Sequence, residues 1–360
     1  MMKFSRIIAL LTISIIAAGC AQEVDEPLPE PQPARKAISC GISGVAGLSS
    51  RTLVTNANLQ TLCAAGTGTE SIGVWGEFVN AGTRTKIFNA EPLTYGPKAQ
   101  DTNPYNQWNY QSETRYWNSG MLYDFRACFP QDLMTNLMEQ MDATNFQGPI
   151  NTKNTQDDIL VGATQVNTQT SPLPDVVNIE LQHIFAAIRF QVKAAEGYTP
   201  SADEGAVACW LQNQGTTDDL FSRAGYLLHT GNETSEIHWT PYASVFEELY
   251  RWEYPTGVHF DDDDEPHSLY VPNGTNEGEL YTRNDSWIMV IPQTVKDGSL
   301  KFFYKMKHTA DKVFSVTIPA ITYQPGVQYN YILEIRGASA TISLTIQDWN
   351  KLDASYDVEL

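Results

Sequence analysis

The chain has 360 residues, with 42 acidic against 23 basic side chains and a formal net charge of −19. That imbalance argues against nucleic acid or anionic headgroups as partners, because both are held by basic patches. The length exceeds one ordinary core, so two domains are expected. With no Gly-x-Ser-x-Gly, phosphate-loop or His-Glu-x-x-His motif in the chain, there is no reason to expect an enzyme.

Lys3 and Arg6 precede an apolar run over residues 7–16, which ends in Ala17-Ala18-Gly19-Cys20. A positive start, a short apolar stretch and small residues before a cysteine make a signal peptide over residues 1–19, too short to span a bilayer as a mature helix. The small residues ahead of Cys20 form a lipobox, so Cys20 is the expected lipidation site and lipid the expected anchor. Residues 20–36 are rich in Pro and Glu without an apolar period, and such a segment packs no core; it reads as a flexible tether.

Next, Ile38, Cys40 and Ile42 alternate with small or polar residues, the pattern of a half-buried strand. Arg51 follows in a loop of small residues between two apolar stretches. Beyond it, short runs rich in Val, Ile, Tyr, Phe, Trp and Thr predict strands over 72–79, 86–88, 121–129, 158–166, 176–180 and 184–192. A second series covers 208–212, 225–229, 236–240, 267–271, 286–293, 300–307, 312–319, 328–335 and 341–347. Many short strands punctuated by Gly, Pro, Asn and Asp indicate β-sandwiches rather than alternating β and α units. Helical spacing occurs twice, at Leu133, Met134, Leu137, Met138 and Met141, and at Val245, Phe246, Leu249 and Tyr250; each predicts a turn or two of helix over a sheet. The polar stretch at 197–204 divides the mature chain into an N-terminal domain, 37–197, and a C-terminal domain, 198–360. At the end, Leu352, Ala354, Tyr356, Val358 and Leu360 alternate with polar residues to the last position. A terminus so patterned is expected to lie on a sheet, its own or another molecule's.

Cys40, Cys63, Cys128 and Cys209 remain after the lipidation site, and the expected compartment permits disulfides in three pairings. Their spacing fits no zinc motif, and Cys40 and Cys209 sit among apolar residues as buried thiols do. His183, in an apolar strand, reads as a core histidine. The acidic run at 261–265 lacks the spacing of a calcium loop, so no metal or other cofactor is expected.

Several stretches together carry a family resemblance: Arg51-Thr52-Leu53-Val54, Ile72-Gly73-Val74-Trp75-Gly76, Trp117-Asn118 and Tyr123-Asp124-Phe125-Arg126-Ala127 followed by Pro130. Asp158-Ile159-Leu160-Val161-Gly162 and the run from Val177 to Phe190 continue the series, and Ile291-Pro292-Gln293, Pro325-Gly326-Val327-Gln328-Tyr329 and Ile346-Gln347-Asp348-Trp349-Asn350 close it. In order and spacing the chain resembles the fimbrillin family, the type V pilins of Bacteroidota. The acids after Cys20 resemble the surface-export signal of lipoproteins in that phylum. The resemblance implies an all-β fold of two tandem transthyretin-like β-sandwich domains with a few short helices. It also implies a place at the outer membrane and cell surface, maturation by an arginine-specific protease at Arg51, and polymerisation with other pilin subunits. The residues suit that mechanism. Cutting at Arg51 would free the strand of Ile38, Cys40 and Ile42 with its lipid and leave an open edge, and the tail of Leu352, Ala354, Tyr356, Val358 and Leu360 could fill it in a neighbour. The alternative is a monomeric surface lipoprotein that binds glycans through rings such as Trp252, Tyr254 or Tyr270.

Overall fold

The computed structural model describes residues 35–43, 56–96, 107–152, 157–198, 205–214, 223–230, 235–241, 248–259, 267–268, 287–306, 312–336, 339–348 and 355–358. The chain is all-β apart from two short helices among these residues. The strands in the first part are β1 (Cys40–Ser43), β2 (Ile72–Asn80), β3 (Thr83–Tyr95), β4 (Trp108–Tyr110), β5 (Leu122–Phe129), β6 (Gln140–Met141), β7 (Asn145–Asn151), β8 (Leu160–Asn167), β9 (Val177–Glu180), β10 (Gln182–His183) and β11 (Ala186–Ala194). The helices are α1 (Asn56–Leu62) and α2 (Gln131–Leu137). The later strands are β12 (Gly205–Asn213), β13 (Arg223–Thr230), β14 (Ser235–Pro241), β15 (Glu248–His259), β16 (His267–Ser268), β17 (Ile288–Val290), β18 (Gln293–Val295), β19 (Leu300–Met306), β20 (Val313–Ile318), β21 (Ile321–Tyr323), β22 (Val327–Arg336), β23 (Ser339–Asp348) and β24 (Ser355–Val358).

The first sandwich has unequal layers. One is a six-stranded sheet in the order β10-β8-β5-β2-β3-β4, antiparallel throughout. Its β2–β3 hairpin closes at Ala81 and Gly82, both in the left-handed region (φ 48° and 84°), which suits the twist of the flanking strands. Among the described residues the facing layer holds two strands, β1 and β9, paired in parallel. Between the layers lie Val74, Phe88, Tyr123, Phe125, Ala127 and Leu160 from the large sheet, and Cys40, Val177 and Ile179 from the small one, joined by Ile38 just ahead of β1 and by Leu59 of α1.

The second sandwich packs the sheet β16-β11-β22-β23-β24 against the four-stranded sheet β15-β12-β19-β20. Phe190, Tyr331 and Leu333 of the first meet Leu211, Phe302 and Tyr304 of the second, with the ring of Phe190 stacked on Phe302 at 4.5 Å. Thus β11, which the sequence assigns to the first half, is hydrogen-bonded in parallel to β22 over eight residue pairs. Core membership changes between Leu181, in the first core, and Ala186, in the second. A buried apolar strand has no local signal for which sheet it joins, so β11 was legible as a strand but not by partner.

A third cluster joins the halves. Trp75, Met134, Phe146, Ile159 and Ile184 pack with Phe185, Trp287 and Met289. Strand β13 pairs with β7 from Arg223↔Asn151 to His229↔Asn145, tying a late strand to an early one. The helical spacing around Leu133 is α2, whose Met134 is buried here. Of the second expected helix, Val245 and Phe246 lie outside the described residues, while Leu249 and Tyr250 lie in β15, where Tyr250, Trp252 and Tyr254 recur with the period of a strand.

Candidate functional site

The site is the seat of β1. Its core-facing side chains follow the alternation in the sequence: Ile38 and Cys40 are each 1% exposed, and Ile42 packs half-buried against the same core. The backbone is held on both sides. Towards β9, the register runs from Cys40↔Val177 to Ser43↔Glu180, and Val177 N–H donates to Ser39 O at 2.7 Å. On the other side, Ile38 N–H donates to Arg115 O at 2.8 Å, and Ala37 bridges Tyr116. The hydroxyl of Tyr110 donates to Ile38 O at 2.9 Å and accepts from Arg115 N–H at 3.1 Å. Arg115 is itself steadied by its Nε, which donates to Ile87 O. Every one of these contacts on residues 37–39 is made to main-chain atoms.

Two glycines let the layers come together. A Cβ on Gly162 of β8 would run into the carbonyl oxygen of Glu180, so only glycine lets β9 lie this close. A Cβ on Gly41 of β1 would stand 2.7 Å from Val176 Cγ1 and 2.8 Å from Asn178 Oδ1. Where β9 runs on into β10, the buried Asp158 carboxylate lies 2.9 Å from His183 Nδ1 and anchors the turn that leads to β11. The core histidine read from the sequence is therefore a hydrogen-bonded one.

The electrostatics keep the groove neutral. Burial, helped by the charge of Glu91, pushes the Cys40 thiol up to about 12, and burial with Glu70 does the same for Cys63. Burial also raises the Tyr110 hydroxyl, against the hydrogen bond from Arg115 N–H, so it stays a donor at ordinary pH. Cys40, Cys63 and Cys128 are free and buried, and a protonated buried thiol is chemically inert. The side chain of Cys209 lies outside the described residues.

Of the predicted site residues, Cys40 and Ile42 lie in β1 and Ile38 two residues before Cys40, and all three face the same core. Cys20, Arg51, Leu352, Ala354 and Leu360 lie outside the described residues, as do Tyr270 and the acidic run at 261–265. Tyr356 and Val358 fall in β24, paired with Ile346 and Leu344 of β23 at the edge of the second sandwich's larger sheet. Trp252 pairs in register with Cys209, whose other partner in the ladder is Tyr304, a core residue 2% exposed. The Tyr110–Arg115 clamp and Gly162 were not singled out from sequence. A glycine inside a strand pattern is a signal for close backbone approach and would have flagged Gly162; nothing local marks Tyr110.

Comparison with known proteins agrees with this architecture. The family model described as "Fimbrillin-like" matches residues 55–349. Among solved structures, a fimbrial protein from Bacteroides vulgatus is 15% identical with a TM-score of 0.56, over 87% of this chain and 99% of that one. A candidate cell-adhesion protein from Bacteroides uniformis is 14% identical with a TM-score of 0.50, over 89% of this chain and 100% of that one. At such identities the likeness is one of fold. No curated protein matches the chain.

Proposed function

Because the chain belongs to the fimbrillin-like family, we propose that it is a structural or accessory subunit of a cell-surface fimbria, matured by cleavage after Arg51 and joined to its neighbours by strand exchange. It reaches the outer membrane as a lipoprotein through Cys20, an arginine-specific protease acts on it, and its partners are other pilin subunits. The assembled fibre serves adhesion. Two tandem sandwiches, dividing within residues 181–186, form each link.

One observation carries this reading: β1 is half of a two-stranded layer and is buried in the core. Arg51 lies in the chain between β1 and α1. A cut there would leave β1 held only by its hydrogen bonds and side-chain packing. Its departure would expose the free edge of β9 and the apolar floor beneath it. Refilling the groove with large apolar side chains recovers about 1.5–3 kcal/mol apiece, and each ladder hydrogen bond adds about 1 kcal/mol. Among the described residues the tail's β24 is paired on one side, with β23 of its own molecule. Donor at one end and acceptor at the other make a head-to-tail contact, which propagates as a filament.

The test uses the whole secreted chain, low-dose trypsin or an arginine-specific protease, unboiled gels and a thiol reagent. Cleaved wild-type protein is expected to form detergent-resistant ladders, and thiols buried around β1, Cys40 among them, to react as that strand leaves. Arg51→Ala is expected to stay monomeric under the same protease, with its thiols still silent. Ladders from Arg51→Ala would refute the cleavage site. A cut protein that retains β1 and stays monomeric would sink the exchange reading.

A further inference from the structure

We infer that the seat of β1 selects its replacement by size, and that Ala354 of a second copy takes the place of Cys40. This rests on the exchange reading above and specifies its register. Along the groove the core-facing positions hold Ile38, Cys40 and Ile42, large, small and large. The middle position is closed around a thiol, with Cys40 1% exposed. A larger group there overpacks the core. The outer position is roomier, since Ile42 is only half-buried.

The tail offers Leu352, Ala354, Tyr356, Val358 and Leu360. Only the triplet Leu352, Ala354, Tyr356 has a small residue at its centre. Centring on Tyr356 would drive a phenol ring into the space of a thiol. Centring on Val358 in the direction of β1 would put Tyr356 where Ile38 is, a site 1% exposed with no room for a ring. In the chosen register Tyr356 comes to the half-buried position of Ile42, where its hydroxyl can reach water.

Direction follows from the same fit. Run parallel to β9, as β1 does, the tail puts Ser355 at the position of Gly41, where a Cβ meets Val176 Cγ1 and Asn178 Oδ1. Run the other way and centred on Val358, it puts the carboxylate of Asp357 there and a branched side chain at the thiol site. Serine is the smaller intrusion. The clamp does not oppose the substitution: Arg115 O, the Tyr110 hydroxyl and Val177 N–H all address main-chain atoms, so Leu352 and Asp353 can take those bonds over from Ile38 and Ser39. The donor is thus read by a pattern of sizes, while its hold is indifferent to sequence.

The experiment uses protease-cut whole protein and fluorescent peptides of residues 350–360. The wild-type peptide is expected to bind, the Ala354→Phe peptide at least about ten-fold more weakly, and the Val358→Phe peptide within about two-fold of wild type. If Val358→Phe is the variant that fails, the strand sits in the other register and the inference is overturned, though exchange stands. Equal binding by all three overturns size selection. No binding by the wild-type peptide overturns the exchange reading and this inference with it.

Discussion

β1 and β24 are each four residues long, but β1 is half of a two-stranded layer, whereas β24 is the outermost strand of a much larger sheet. With residues 37–39 that lead into it, β1 is bonded on both flanks, and Ile38 and Cys40 are each 1% exposed. Among the described residues β24 is paired on one flank, to four residues of β23. A strand that supplies half a layer cannot leave without a successor, because the opposite sheet would lose its cover. An edge strand can leave and take only its own pairing with it. On the exchange reading proposed above, these are the two requirements of a chain-linking subunit, an indispensable seat and a dispensable plug.

The largest expected effect is on the seat. Ile38→Asp would put a carboxylate in a site 1% exposed, beside the core of Trp108, Tyr110 and Trp117. It removes the apolar burial and adds a buried charge, a loss of about 4 kcal/mol or more. Urea unfolding should show the midpoint falling steeply with little change in slope. An unchanged midpoint would mean that β1 is an ornament on the sandwich and not part of its core.

Gly162→Ala comes next. It acts from the other side of the groove, where its Cβ would meet the Glu180 carbonyl. Backbone cannot swing aside as a long side chain can, so β9 must move outwards and β1 with it. The cost is about 2–3 kcal/mol. The sharper readout is local: amide exchange should quicken at Val177 and at residues 40–43 before it quickens in β22 or β23. Uniform quickening across both sandwiches would show that the two-stranded layer is not an independent weak point.

Much of this contrast was legible in the sequence. Ile38, Cys40 and Ile42 show a half-buried strand because burial of one face imposes alternation, and the tail carries the same alternation in its sequence. What was not legible is partnership. The parallel neighbour of β1 is β9, far along the chain, and a short apolar run such as Val177–Glu180 carries no mark of the strand it will meet. The allegiance of β11 to β22 escaped for the same reason. α1 escaped because seven residues with Leu59 and Leu62 as their only large apolar side chains make too short a period to recognise. At Leu249 and Tyr250 a chance helical spacing competed with the two-residue period of Tyr250, Trp252 and Tyr254, and the sheet pairing of β15 with β12 decided it.

The smallest expected effect on stability is the one that separates the two strands most cleanly. Deleting residues 352–360 removes β24, but β23 keeps its full ladder with β22, from Val327↔Asp348 to Arg336↔Ser339. The hydrogen bonds lost, about 1 kcal/mol each, are offset by the backbone entropy regained when four residues no longer need ordering, about 1–2 kcal/mol each. The melting midpoint should therefore stay within about 2–4 °C of the intact chain, roughly the shift that 1 kcal/mol gives in a domain of 150–250 residues. After protease treatment the truncated chain should still lose β1 and accept a tail from intact protein, while giving none in return, so that it ends ladders in mixtures. If truncation instead unfolds the second sandwich, the tail is core to its own sheet, and the contrast between seat and plug fails at the plug.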